Sequence, residues 1–168
     1  MYKKRLSRNE LDYIIKKHSL WLDGDMRGER AILCDLDLRG VRLDNINLAY
    51  ADLHGSDLRG ADLRNIDLYS ANLSFADLRT VNLFGGVLTK AILRRSDFRG
   101  ADLNSVELCN ADLREVDFRY AVLQDVNLYG AFFGNTDFRG ADLRGADMYD
   151  TKIGLARINR EAFFGICY

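Results

Sequence analysis

A five-residue hydrophobic period is the feature that most limits how this chain folds. From residue 31 to residue 160 the sequence divides into 26 consecutive units of five residues, without one change of register. The central residue of each unit is large and apolar, and it is Leu in 19 units. The residue two places earlier is Ala in 13 units, and the residue between them is mostly Asp or Asn. The repeat is therefore A-(D/N)-L-x-x, and it covers 130 of the 168 residues.

This period is incompatible with both regular structures. Five residues of an α-helix turn through about 500°, so successive leucines would not form one buried stripe. In a straight strand, an odd period would point alternate leucines to opposite faces. Each unit must therefore combine a short extended piece, with the Leu inside and the Asp outside, and a turn. Glycine at the last position, as at Gly40 and Gly60, suits a turn that needs a positive φ.

A second period, four units long, sets the number of turns in one coil. Six arginines that follow a central residue recur once in every four units, and so do the aspartates two places before them. Four units per coil explain both columns, whereas a coil of three units would scatter the arginines over every side. Duplication of a four-unit segment would leave the same pattern and would still imply a structural unit of that length. The two columns are Arg39, Arg59, Arg79, Arg99, Arg119, Arg139 and Asp37, Asp57, Asp77, Asp97, Asp117, Asp137.

The repeat resembles that of the pentapeptide-repeat family, whose motif is the same A-(D/N)-L-x-x. The resemblance spans residues 31–160 and implies an all-β solenoid, a right-handed quadrilateral β-helix, whose hand is taken from the family alone. The 26 units correspond to about 6.5 coils, and layers of about 4.8 Å give a rod roughly 30 Å long. Phe98, Phe118 and Phe138 are then one coil apart on one inner wall, near ring-contact distance.

Both ends of such a stack leave unpaired strand edges, so we expect caps. Residues 1–30 are predicted to form an N-terminal helical cap. Ser7 and Glu10 give a capping-box signal, and the apolar spacing that follows predicts a helix over about 8–21. The alternative is a basic arm, since residues 1–30 carry eight Lys/Arg and five Asp/Glu. The apolar helix face favours the cap.

The C-terminal segment, residues 161–168, is predicted to be a cap or a dimerisation tail. Phe163, Phe164 and Tyr168 make it too apolar for a loose end. These residues either cover the last coil or meet a second copy of the chain. We therefore expect a monomer, or a homodimer that forms through this end.

The sequence contains no spacing typical of a catalytic, metal or cofactor site. His18 and His54 are isolated, and Cys34, Cys109 and Cys167 lack the paired spacing of a zinc site or a disulfide framework. Free thiols are the expectation. The aspartates recur on the outside, beside water, where we expect ordinary pKa values. We therefore predict no enzymatic activity and no cofactor.

Charge and hydropathy bear on partners and location. The net charge is −1, which gives no overall attraction to nucleic acids or acidic membranes. No stretch approaches the ~20 apolar residues of a membrane span, and the N-terminus lacks the apolar run of a signal peptide. We expect a soluble, cytoplasmic protein. The arginine column could bind the phosphates of a nucleic acid along its length. However, the neighbouring aspartates neutralise the arginines through exposed ion pairs.

Apolar residues at outward positions point instead to an unidentified protein partner. Some are tyrosines in one column, and the others lie on the neighbouring side. The alternative is that the tyrosines only stack on one another between coils. The candidate partner surface consists of Tyr69, Tyr129, Tyr149, Phe75, Ile92 and Phe132.

These features predict a rigid protein-binding or scaffolding module. The family resemblance implies an alternative, because some pentapeptide-repeat proteins mimic duplex DNA, bind DNA gyrase and protect cells from quinolones. Such mimicry needs a strongly acidic rod, whereas residues 31–160 carry 19 Asp/Glu and 16 Lys/Arg. Several such relatives also have loops that interrupt the register, and this chain has none.

Overall fold

The computed structural model describes residues 2–151 and 156–157. Its regular elements are β1 (Lys4–Arg5), α1 (Arg8–Leu22) and β2 (Leu36–Asp37). β1 and β2 pair in parallel, with Arg5 opposite Asp37. Beyond β2, the described coils are joined by single-residue bridges rather than by longer strands.

The backbone advances by one layer every four units, as the two charge columns predicted. Each bridge joins a residue to its equivalent four units later, in parallel orientation. In the first of them, the Leu33 N–H donates to the Asp52 carbonyl at 2.7 Å, and the Asp52 N–H donates to the Ala31 carbonyl at 3.0 Å. The same pattern continues to the bridge between Asp137 and Arg157. The backbone groups at the bridges are thereby paired between layers.

The coil has four faces, and each layer gives one five-residue unit to each face. The first, second, third and fourth faces begin with residues 31–35, 36–40, 41–45 and 46–50, and each face recurs once in every layer. The central residue of every unit is buried, from Leu33 to Met148. One continuous hydrocarbon core therefore runs along the axis, and the residue before each central residue, most often Asp or Asn, points outward.

Every described corner of the coil has a left-handed backbone. The last residue of each unit from Asp35 to Asp150 has a φ between 53° and 74°. The next N–H usually closes the turn, as where Val41 donates to the Leu38 carbonyl at 3.2 Å. A left-handed third residue is typical of type II turns. Glycine was predicted at such turns, yet the branched Thr80 adopts the same conformation, with a φ of 56°.

The predicted phenylalanine column on the second face is confirmed. The ring centroids of Phe98 and Phe118 are 5.1 Å apart, and those of Phe118 and Phe138 are also 5.1 Å apart. The interplanar angles are 27° and 10°. The three rings form a stack inside a core that is otherwise mainly leucine.

Helix α1 begins with the predicted capping box. The Ser7 hydroxyl accepts from the Glu10 N–H at 3.3 Å, and the Glu10 carboxylate accepts from the Ser7 N–H at 2.7 Å. The helix ends at Leu22, one residue beyond the predicted end, and Gly24 follows with a φ of 75°. No helix among the described residues is long and apolar enough to cross a membrane.

One face of α1 packs on the first coil. Leu11 and His18 are buried, and the Ala31 N–H donates to Nδ1 of His18 at 3.1 Å. The acceptor role of Nδ1 requires a neutral ring, whose proton is then on Nε2. Burial, followed by the charge of Arg30, lowers the pKa of His18, while the nearby Ala49 carbonyl acts in the opposite direction.

The predicted C-terminal tail lies outside the described residues. This applies to Phe163, Phe164 and Tyr168, and to Cys167. The final half-coil is described only at residues 151 and 156–157.

Candidate partner surface

The fourth face carries a pair of stacked, exposed tyrosines. The rings of Tyr129 and Tyr149 have centroids 5.9 Å apart and an interplanar angle of 14°. They are 42% and 60% exposed. Each follows the central residue of its unit, and the bridge between Asn127 and Asp147 sets the two units one layer apart. The β-helix thus holds two aromatic rings in register with one face open to solvent.

Tyr69 occupies the same column but is engaged within the molecule. Its ring meets the edge of the Tyr50 ring at 5.5 Å, and Nζ of Lys90 lies 5.5 Å from its centroid. The hydrogen bond from Lys90 lowers the pKa of Tyr69. Thr89 and Cys109 occupy the column between Tyr69 and the stacked pair. Tyr69 is therefore separate from that pair.

Two aromatic residues outside the predicted set extend this region towards α1. Trp21 meets the edge of the Tyr50 ring at 6.2 Å and stacks on His18 at 5.6 Å. Sequence reasoning missed both Trp21 and Tyr50. Tyr50 occupies the last position of its unit, so it lies beside the column that contains Tyr69 and not in it.

The remaining predicted residues lie on or beside the first face. Ile92 and Phe132 point outward, 43% and 56% exposed, with Asp112 in the layer between them. Phe75 lies at the corner between the first and second faces and is 51% exposed. Its ring is 5.3 Å from the His54 ring and 5.6 Å from the Arg95 guanidinium. The six predicted residues thus lie on two adjacent faces, and the stacked pair is one cluster within them.

A shallow groove lies beside Phe75. Its volume is about 480 Å³. Ion pairs already occupy its charged wall, since Nε of Arg95 lies 2.9 Å from Oε2 of Glu115. The charges along that wall are therefore already paired within the molecule. Its lining consists of Asn72, Ser74, Phe75, Ile92, Arg94, Arg95 and Glu115.

The arginine column forms a ladder of ion pairs on the second face. Arg79 donates to Asp77 in its own layer, with Nε at 2.8 Å and Nη2 at 2.7 Å. Its Nε is also 3.6 Å from Oδ2 of Asp97 in the next layer. The same inter-layer contact recurs along most of the column. As predicted, the carboxylates beside the arginines neutralise their charge.

The expectation of ordinary pKa values is wrong for several of these aspartates. Hydrogen bonds from Arg59 lower the pKa of Asp57, and those from Arg139 lower the pKa of Asp137. The extended piece of each unit places the arginine two residues later on the same face, so the guanidinium reaches the carboxylate with two N–H groups. The charged form is thereby favoured even at the surface.

The described part of the chain offers little for metal or thiol chemistry. No group of three or more His, Cys, Asp and Glu among the described residues could hold a metal ion. Nδ1 of His54 is 3.0 Å from the Ser74 hydroxyl, which itself donates to Asn72. Cys34 and Cys109 are free thiols, and burial raises the pKa of Cys109, which favours its protonated form.

Comparison with solved structures shows similarity to pentapeptide-repeat proteins. Rfr23 from the cyanobacterium Cyanothece 51142 is 23% identical, with a TM-score of 0.54 over 89% of this chain and 96% of that chain. HetL, involved in heterocyst differentiation regulation in the cyanobacterium Nostoc sp. strain PCC 7120, is 22% identical, with a TM-score of 0.46 over 83% and 92%. Trypsin-treated QnrB1, a plasmid-mediated fluoroquinolone resistance protein, is 18% identical, with a TM-score of 0.45 over 74% and 85%.

The similarity to Rfr23 concerns the fold. No curated protein sequence matches the chain. The family model described as pentapeptide repeats matches eight copies, over residues 46–85, 87–119 and 121–159. Proteins of this family are generally non-catalytic. Because these matches cover more than half of the sequence and coincide with the bridged coils, the chain belongs to the pentapeptide-repeat family.

Proposed function

We propose that this chain is a non-enzymatic protein-binding or scaffolding module. Its partner surface is the exposed aromatic and aliphatic set on the fourth and first faces. The observation that carries the proposal is the stacked pair of Tyr129 and Tyr149, 42% and 60% exposed on a bridged backbone. Tyrosine is enriched at protein interfaces, because it buries a large area and loses few rotamers.

The β-helix supports this role through its rigidity. Tyr129 and Tyr149 belong to layers that hydrogen bonds join at each side, for example from the Leu128 N–H to the Asp147 carbonyl at 2.7 Å. A surface that is already ordered loses little entropy on binding. Exposed aromatic side chains on such a backbone therefore suit recognition of a folded or extended partner.

We also propose that α1 caps the first coil and that the β-helix has about 6.5 coils. The cap is supported by the burial of Leu11 and His18 and by the pairing of β1 with β2. The coil number is supported by the register, which continues unbroken to residue 160.

The oligomeric state and the cytoplasmic location stay predictions. Association through Phe163, Phe164 and Tyr168 is measurable by sedimentation in the ultracentrifuge. If the chain is a homodimer through this end, the variant Phe163→Ser/Phe164→Ser sediments as a monomer. An unchanged mass of a dimeric protein would contradict the assignment.

Gyrase binding is not the function we propose. The second face alternates Asp with Arg, so it lacks the uniform negative charge of duplex DNA. A supercoiling assay with and without a quinolone tests this alternative. Inhibition or protection at micromolar protein would favour gyrase over our proposal.

Affinity capture from a native lysate tests the proposed surface. The unaltered chain is compared with Tyr129→Ser/Tyr149→Ser and with the control Tyr120→Ser, whose ring is 73% exposed at a corner of the second face. We expect specific partners to be lost from the double variant and kept by the control. If all three proteins capture the same partners, the proposed surface is wrong. Thermal unfolding of each variant verifies that it is folded.

A further inference from the structure

We propose that the fourth face binds a cationic segment of the partner protein, with arginine or lysine side chains over Tyr129 and Tyr149 and against Glu107 and Asp147. This inference rests on the proposed function, because it names the chemistry of the partner. It follows from the distribution of charge, from carboxylate oxygens without partners among the described residues, and from a cation–aromatic contact that the fourth face already contains.

The fourth face differs from the second face in its charge balance. On the second face, each of the six aspartates of the column has an arginine two residues later. The fourth face carries acidic residues with a single basic residue, and it is therefore net negative. Its charged residues are Asp67, Glu107, Asp147, Asp150 and Lys90.

The carboxylates beside the stacked tyrosines make no ion pair with any described residue. Oδ1 of Asp147 accepts from the Tyr149 N–H at 2.9 Å, and Oε2 of Glu107 accepts from the Asn127 amide at 2.8 Å. The other oxygen of each carboxylate accepts no hydrogen bond from a described residue. Glu107 and Asp147 are two layers apart, about 10 Å. They therefore form a pair of acceptors along one side of the aromatic patch.

The fourth face itself shows how a cation fits this surface. Nζ of Lys90 lies 5.5 Å from the centroid of the Tyr69 ring. Thr89 lies one layer above Tyr69, and Lys90 is the next residue after Thr89. The position related to Tyr129 in the same way is Asp150, which directly follows Tyr149. The stacked pair thus has a carboxylate where Tyr69 has an ammonium group.

Electron-rich ring faces and nearby carboxylates attract the same ligand, a side-chain cation. A guanidinium stacks on a tyrosine ring and donates to a carboxylate at its edge, and both contacts strengthen when water is excluded. Arginine suits both roles best because it is planar and carries five N–H donors. A segment with two cationic side chains about 10 Å apart would contact both carboxylates.

The test measures the binding of a defined probe to the full chain. The probe is a fluorescein-labelled peptide of eight residues that alternates arginine with glycine, followed by fluorescence polarisation at about 0.15 M salt. The matched peptide with glutamate in place of arginine is the negative control. We expect the arginine peptide to bind and the glutamate peptide not to bind.

Two variants locate the binding on the fourth face. Glu107→Gln/Asp147→Asn removes the charges and keeps the shapes, and Asn already occupies the equivalent position at Asn47 and Asn127. We expect it to weaken peptide binding by about tenfold or more. Tyr129→Leu/Tyr149→Leu keeps hydrocarbon but removes the aromatic rings, and we expect a loss of at least about fivefold.

The matched control removes two charges elsewhere. Asp35→Asn/Asp52→Asn acts on the first face, where neither aspartate has an ion pair among the described residues, and we expect a change of less than about twofold. Equal affinity of the peptide for the unaltered chain and for Glu107→Gln/Asp147→Asn overturns the inference. If the peptide affinities are equal but Tyr129→Ser/Tyr149→Ser still loses its partners in the affinity capture, the proposed function stands and only the cationic chemistry of the partner is wrong.

A second copy of the chain is the competing occupant, since residues 1–30 carry three more basic than acidic residues. Sedimentation separates the two possibilities. Self-association that disappears in Glu107→Gln/Asp147→Asn would assign the fourth face to a second copy and would overturn the proposal of a partner protein. A monomer that binds the arginine peptide supports it.

Discussion

The ring of Phe118 stacks on the ring of Phe98, with centroids 5.1 Å apart and 27° between their planes. The layers of a β-helix are about 4.8 Å apart, so the backbone itself brings the rings into contact. Both rings are completely buried. The second face therefore contains an aromatic segment within a leucine core, and each ring supports its neighbours in the adjacent layers.

Truncation of the middle ring should be costly. We expect Phe118→Ala to lower the free energy of unfolding by about 3–5 kcal/mol, because the cavity removes contacts from the layers above and below. Phe118→Leu should cost only about 1.5 kcal/mol, since leucine occupies the central position of 19 other units. Urea denaturation measures both values. Equal losses for the two variants would contradict the cavity explanation, because leucine refills most of the space that alanine leaves empty.

Residue 80 tests the strain at the coil corners. Thr80 is β-branched and has a φ of 56°, a conformation that asparagine and glycine tolerate better. We expect Thr80→Asn to raise the free energy of unfolding by about 0.5–1 kcal/mol. The reverse control is Gly60→Thr, one layer away in the same column, which should destabilise. A Cβ on Gly60 meets only the Thr80 hydroxyl, at 3.9 Å, so its cost comes from the backbone. Destabilisation by Thr80→Asn would contradict this explanation.

The ion-pair ladder should make stability sensitive to acid. The pKa of Asp57 lies below its ordinary value of 3.8, so the pair stabilises the fold above that pH and the contribution is lost as the pH falls further. We expect Arg59→Gln to lower the free energy of unfolding slightly at pH 7, as for other exposed ion pairs, and we expect the difference from the unaltered chain to shrink below pH 3.8.

Arg139→Gln is the control for the ladder. Nε of Arg59 lies 3.5 Å from Oδ2 of Asp77 in the next layer. In the layer after Asp137, the aspartate column contains Arg157 instead of an aspartate, so Arg139 has no equivalent carboxylate there. We therefore expect the loss at Arg139 to be smaller. Equal losses at the two positions, measured by urea denaturation at pH 7, would show that the inter-layer contacts are inert.

His18 should give a second and separate pH dependence. Its pKa is lowered from 6.5, so the unfolded chain binds a proton at a higher pH than the folded chain does. The free energy of unfolding should therefore decrease as the pH falls below 6.5, until the folded-state pKa is passed. His18→Asn keeps an acceptor for the Ala31 N–H without titrating in this range. Thermal unfolding between pH 7 and pH 5 should show a smaller shift in Tm for this variant, and an equal shift would exclude His18 as the cause.

The sequence predicted the charge pairing of the aspartates but not their lowered pKa values. The spacing of two residues between Asp57 and Arg59 correctly predicted that their charges neutralise each other. It did not predict the lowered pKa of Asp57, because that depends on two N–H groups of one guanidinium meeting both carboxylate oxygens. The geometry of the extended piece and the side-chain rotamers decide this contact.

The sequence by itself determined the four-unit coil, the buried central residues, the Phe98 to Phe138 stack and the capping box at Ser7. The physical reason is that every layer repeats the one before, so the equivalent residue four units away along the chain is also the neighbour in space. Only the tertiary structure decided the contacts that break this rule. Lys90 reaches Tyr69 from a corner of the next layer, and α1 brings Trp21 onto Tyr50 from outside the repeat. Such contacts depend on the direction of the side chains at the left-handed corners and on how α1 packs against the coil. The five-residue repeat predicts neither of these.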